Sequence, residues 1–139
     1  IREGEQAELA GPAIRLRPKA AQLLALALHE LTSNAVEHGV FGRAAGEVSV
    51  VWSVDGAGTG GPCHLTLVWK EKGGSEIASP TRRGFGMQVL DEMLTYELGA
   101  RVALAFEPDG LRCSVRIPLL PRIGHVIEEP QAEENGEPA

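Results

Sequence analysis

The stretch from Lys19 to His38, KAAQLLALALHELTSNAVEH, constrains the fold more than any other part of the chain. It holds strong helix formers with no glycine or proline. Leu24, Leu28, Leu31 and Ala35 recur within it at four-three-four spacing, the mark of a buried helical stripe. Pro18 suits a first helical turn, where its missing N–H is no loss, and Gly39 suits the cap. Leu23 and Leu26 fall on a different side from the stripe. The first half of the helix is therefore apolar nearly all round and is expected to sit deep in a domain, with other layers packed around it.

Those layers are predicted by a change of period. In EVSVVWSV, residues 47–54, Val48, Val50, Trp52 and Val54 share one face, and in HLTLVWKE, residues 64–71, Leu65, Leu67 and Trp69 do the same. The two read as an antiparallel hairpin across the glycine-rich loop DGAGTGGPC. A short strand around Ala13 to Leu16 precedes the helix. Residues 72–83 are expected to be irregular, with Gly73, Gly74 and Pro80 as breakers. A second helix is expected from about Phe85 to Leu98, with Met87, Leu90 and Leu94 inward and Gly99 ending it. RVALAFE and LRCSVRIP flank the turn residues Pro108, Asp109 and Gly110 and predict a hairpin over 101–118. Helix, strands, helix, strands implies an α/β (α+β) two-layer sandwich, one sheet with helices on one face.

Composition agrees with one domain. The 139 residues are 43% hydrophobic and 4% aromatic, so Leu, Val and Ala must fill the core. Thirteen Lys and Arg against 19 Asp and Glu leave a net charge of −6, which argues against a non-specific nucleic-acid binder or a protein drawn to anionic lipid. Cys63 and Cys113 lack any CxxC spacing and fit thiols in a reducing cytoplasm. No apolar run approaches about 18 residues, so neither a membrane span nor a signal peptide is expected. The start at Ile1 reads as a piece of a longer protein. Residues 1–12 read as a loose leader, 13–120 as the folded unit, and 121–139, Glu-rich with prolines, as a disordered tail.

Chemistry-bearing residues cluster in three places. Glu30, Asn34 and His38, spaced by four and four, form one polar line on the first helix, drifting about 40° per step. Glu30 follows the apolar LLALAL run, where a carboxylate must be paired or near a cation. Mg²⁺ with phosphates suits both Glu30 and Asn34. The same spacing also suits a helix whose C-terminal half emerges into water. His29 and Glu30 begin an HExxH pattern, but position 33 is Ser33, so the second imidazole of a zinc pair is missing. RRGFGM, residues 82–87, sets two arginines and a glycine pair ahead of the second helix, a phosphate-binding arrangement, although glycines before helices also serve purely steric ends. Glu71, in WKEKGG at the end of a strand, can accept a hydrogen bond from a base amine. It reads equally as a surface charge.

In order, HELTSNAVEHG, VWKEKGG and RRGFGM resemble the N-box and the two glycine boxes of the ATP-binding catalytic domain of sensor histidine kinases. His29, Trp69 and Glu71 match the positions that name the HWE subfamily. The resemblance covers roughly residues 11–119 and implies the Bergerat fold, with ATP between the helices and one face of a mixed sheet. It implies that Asn34 holds Mg²⁺ and the phosphates, that Glu30 supports the metal's water shell, and that His38 stands beside the phosphates. It places Glu71 at the adenine amine, where the family more often has Asp, with Gly73 making room. The run Arg82, Arg83, Gly84, Phe85, Gly86 and Met87 then lies along the nucleotide. The lid between Gly74 and Gly84 is nine residues, shorter than is usual.

The implied activity is transfer of the γ-phosphoryl of ATP to a histidine. The acceptor is expected on a dimerisation segment absent from this chain, because no His precedes the first strand. That histidine-bearing domain and a response regulator are the implied partners, nucleic acid is not, and the location is expected to be cytoplasmic. The fragment alone is expected to be a monomer and the full-length protein a dimer. Two other readings share the fold: an anti-sigma-factor-like serine kinase, and a nucleotide-regulated binding module without turnover.

Overall fold

The computed structural model describes residues 7–38, 46–56, 63–73, 79–108 and 110–127, with the backbone path alone at 7, 37–38 and 79–87. In chain order the elements are β1 (Ala7–Ala10), β2 (Ile14–Leu16), α1 (Pro18–His38), β3 (Glu47–Asp55), β4 (His64–Lys72), α2 (Ser79–Leu98), β5 (Arg101–Glu107), β6 (Gly110–Pro118) and β7 (Gly124–Val126). Five strands form one sheet in the order β1-β3-β4-β6-β5, and β2 and β7 pair separately. β1 runs parallel to β3 while the other neighbours in the sheet are antiparallel, so the sheet is mixed.

Alternation along the strands puts one face of the sheet in the core. Val48, Val50, Leu65, Leu67, Trp69, Leu111, Cys113, Val115 and Ile117 are buried there. They pack with Leu23, Leu24, Ala27, Leu31 and Ala35 of α1 and with Leu90, Leu94 and Leu98 of α2. The register explains the continuity of that face, because Val50 lies opposite Trp69 and Trp69 opposite Cys113. The other face keeps Val51, Arg112 and Arg116 exposed. Helices therefore cover one side only, the two-layer α/β sandwich expected from the pattern.

Four expectations need correction. Ala7–Ala10, read as part of a loose leader, form an edge strand. Its ladder partner is β3, a distant segment, and so its own sequence carries no strand signal. The segment past Leu120, read as disordered, turns back: Ile123 is 1% exposed in the core and β7 pairs with β2. α2 starts at Ser79, ahead of Phe85, and Pro80 is its second residue, not a breaker, because a proline lacks nothing needed in a first turn. The glycine pair Gly84 and Gly86 thus lies inside the helix and not in front of it. Finally, Leu26 is 45% exposed, so α1 is buried on one side and open on the other.

Cys63 and Cys113 form no disulfide. No helix among the described residues is long and apolar enough to cross a membrane. The cap at Gly39, loop residues 57–62, lid residues 74–78 and Asp109 lie outside the described residues, as does the tail beyond 127.

Candidate active site

Contacts at one end of the sandwich determine what gathers at the other. The start of α1 meets the end of α2, where Lys19 Nζ is 2.7 Å from Glu97 Oε1. The turn after β6 holds the residue ahead of α1 and the end of α2: Arg17 N donates to the Ile123 carbonyl at 2.8 Å and Arg122 Nη1 donates to the Glu97 carbonyl at 3.0 Å. β4 begins at this same end, since Leu119 N donates to the Cys63 carbonyl at 2.8 Å. The helices are therefore antiparallel. α1 and β4 have similar lengths, about 30 Å each. The C-terminal half of α1, the beginning of α2 and the end of β4 accordingly share the opposite end, and with them the three sequence motifs.

Glu71 is the central side chain of that end. It has no exposure to solvent, which removes the reading of a surface charge at a strand end. Each carboxylate oxygen is held from a different direction: Trp69 Nε1 donates to Oε2 at 3.0 Å and Leu111 N donates to Oε1 at 3.3 Å. The first donor is two residues away on the same face of β4, and the second comes from β6. Burial of a carboxylate is tolerable because charge-assisted hydrogen bonds replace water. Gly110 is what lets β6 come so near. A Cβ built there would sit 2.8 Å from Glu71 Cβ, and the backbone stands at φ +144, which side chains other than hydrogen rarely allow. Because Glu71 is closed to solvent, contact with a ligand requires the chain over it to part.

Asn34 lies on α1 next to Ala35 in the core and is 8% exposed, so the helix has not emerged into water at this point. Among the described residues its Nδ2 is the buried side-chain nitrogen or oxygen that has no hydrogen-bond partner. A buried donor left unmade costs about 1–3 kcal/mol, so the position calls for a partner that the described residues do not supply. Glu30, one turn earlier, is half-buried, and His29 is exposed. His38 closes α1, with its side chain outside the description. Gly73 follows β4 at φ +82, the turn that the motif required. Arg82, Arg83, Gly84, Phe85, Gly86 and Met87 follow a helical path within α2, and their side chains also lie outside the description.

Two contributors were missed in the sequence. The Leu111 N–H and the space at Gly110 belong to a hairpin turn forty residues from Glu71, and no local pattern links them. Among the described residues no group of three His, Cys, Asp or Glu side chains is placed to hold a metal ion.

No protein-family model matches the chain. A blue-light-activated histidine kinase of Brucella anthropi is 35% identical over 116 residues, 84% of this chain and 23% of that protein. The chain belongs to the histidine kinase family. Its fold is that of histidine kinase catalytic domains. The histidine kinase domain of the Erythrobacter litoralis EL346 blue-light activated histidine kinase superposes with a TM-score of 0.60 at 23% identity, covering 84% of this chain and 56% of that one. Full-length ShkA in complex with AMPPNP shares the fold at a TM-score of 0.52 and 16% identity, over 90% of this chain and 27% of that one. This histidine kinase catalytic domain spans about a quarter of the length of the curated relatives it matches. Its His29, Trp69 and Glu71 fit the HWE type.

Proposed function

We propose that this chain binds Mg²⁺–ATP at the end where Asn34 and Glu71 gather, and directs the γ-phosphoryl group to a histidine on a dimerisation segment. The observation that carries the reading is the orphaned donor of Asn34, buried at the same end of the sandwich as a carboxylate suited to an amine. A donor wants an acceptor, and phosphate oxygens supply it; the other amide atom, Oδ1, is a hard oxygen suited to Mg²⁺. Mg²⁺ is commonly held by one or two protein oxygens plus phosphates and waters, which a donor set of Asn34 and half-buried Glu30 fits.

Bound Mg²⁺–ATP supplies the phosphoryl group and neutralises its charge. The chain's own part is positioning. Glu71 accepts from the adenine amine and Gly73 leaves the turn open beside it. Arg82 and Arg83 offer charge-assisted bonds to phosphate, and His38 stands beside it. Gly84 and Gly86 present backbone without side chains, so a phosphate can approach closely, flanked by Phe85 and Met87. The fold's likeness to ShkA, which is in complex with the nucleotide AMPPNP, supports a nucleotide here. The catalytic unit, placed at 13–120 from the sequence, takes in β1 and β7 on this reading. A response regulator receives the phosphoryl group in turn, and the location is the cytoplasm, where ATP is abundant.

The test has two steps. Titration calorimetry of the chain with ATP, with and without Mg²⁺, is expected to show Mg²⁺-dependent binding. Incubation with γ-labelled ATP and a histidine-bearing dimerisation segment is expected to give acid-labile, base-stable label on that segment. Absence of binding overturns the reading, and acid-stable label points to serine as acceptor.

A further inference from the structure

The hydrogen bond between Trp69 and Glu71 has a geometry that a packing residue does not need. Trp69 is 3% exposed and fills the core between β3 and β6, as any large apolar side chain there could. Its indole nitrogen, however, is aimed along its own strand at Glu71 Oε2, 3.0 Å away, while Leu111 N holds the other oxygen at 3.3 Å. Donors at both oxygens, coming from different strands, help to fix the plane of the carboxylate and so the directions in which it accepts. The second tryptophan shows that the arrangement is particular to Trp69: the indole of Trp52, half-buried against the core, donates to a main-chain acceptor, the Pro12 carbonyl, at 2.7 Å.

We propose that Trp69 is a positioning residue for base selection, its N–H holding the Glu71 carboxylate in the orientation that accepts the adenine amine. The inference rests on the assignment of Glu71 to the adenine site made above. Trp69 touches neither nucleotide nor reacting atoms. Its effect passes through Glu71, so removing the N–H alone loosens the carboxylate and relaxes the choice of base while the nucleotide site stays in place. A residue that only fills volume would lower stability and change affinity for all nucleotides alike.

The experiment is a double-mutant cycle on the ratio of ATP to GTP affinity, measured by competition against a fluorescent nucleotide in the presence of Mg²⁺. Trp69→Phe keeps an aromatic ring and removes the donor; Glu71→Gln removes the charge. In the unmutated chain the ratio is expected to be about tenfold or more. Trp69→Phe is expected to bring it to within about threefold of unity, and to change it no further when Glu71→Gln is already present. If Glu71→Gln lowers the ratio and Trp69→Phe leaves it unchanged, or if Trp69→Phe lowers it equally in both backgrounds, the positioning role is overturned while the adenine assignment stands. If Glu71→Gln leaves the ratio unchanged, the assignment itself fails. Should Trp69→Phe not fold, nitrogen–proton NMR of the unmutated chain decides. Saturating Mg²⁺–ATP is expected to move the Trp69 indole resonance more than GTP does, with the Trp52 indole as the internal control. An unmoved Trp69 resonance overturns the proposal.

Discussion

Arg17 and Ile123 stand near opposite ends of the described chain and share a backbone hydrogen bond, Arg17 N donating to the Ile123 carbonyl at 2.8 Å. The bond joins the turn after β6 to the residue that precedes α1. Beside it Ile123 is 1% exposed, and Gly124 lies so close to β2 that a Cβ there would run into the Arg15 carbonyl. The C-terminal segment thus anchors the end of the sandwich farthest from Asn34 and Glu71.

Ile123→Ala is expected to cost about 2–5 kcal/mol, the usual penalty for emptying a core site of that size. Deleting 123–139 is expected to lower the melting temperature by roughly 5–15 °C. Thermal unfolding followed by circular dichroism checks both, and an unchanged midpoint would show that β7 contributes nothing.

Asn34→Ala trades binding for stability. It removes a buried donor without a partner and places the best helix former in α1, so the nucleotide-free chain is expected to be as stable or up to about 1 kcal/mol more stable. Mg²⁺-dependent nucleotide affinity is expected to fall at least about tenfold, from the loss of a bond to a charged group. Scanning fluorimetry beside calorimetry measures the two effects. A destabilised variant with full affinity would contradict the role given to Asn34.

Gly110→Ala forces a Cβ against Glu71 at 2.8 Å and a side chain into φ +144. A destabilisation of about 1–3 kcal/mol is expected. Because the displaced neighbour is Glu71, the variant is also expected to discriminate less between ATP and GTP. Denaturant unfolding and nucleotide competition separate the two consequences; the expected destabilisation with unchanged discrimination would detach Gly110 from base recognition.

Gly84→Ala and Gly86→Ala act on helical positions of α2, where alanine exceeds glycine by about 1 kcal/mol. Each is expected to raise the stability of the nucleotide-free chain and, on the phosphate role proposed for these glycines, to weaken nucleotide binding. A variant with stronger binding would remove these glycines from the phosphate site.

What the chain alone determined is what repeats locally. The stripe of Leu24, Leu28, Leu31 and Ala35 and the alternation through Val48, Val50, Trp52, Val54, Leu65, Leu67 and Trp69 each concern neighbours along one element; all face the core as their period requires, Leu28, Trp52 and Val54 being half-buried against it and the rest buried. The motifs around Asn34, Glu71 and Gly84 were legible for the same reason, as spacings within a few residues. Tertiary structure decided everything whose partner is remote. β1 and β7 are strands because β3 and β2 offer them ladders, and Glu71 is a buried carboxylate held at both oxygens because Gly110 lets the Leu111 amide reach it from another strand. Glu71 could be read from its neighbours either as a ligand group or as a surface charge, since burial is set by what packs against a side chain. The same holds for Leu26, apolar in sequence yet exposed because α1 has a layer on only one side.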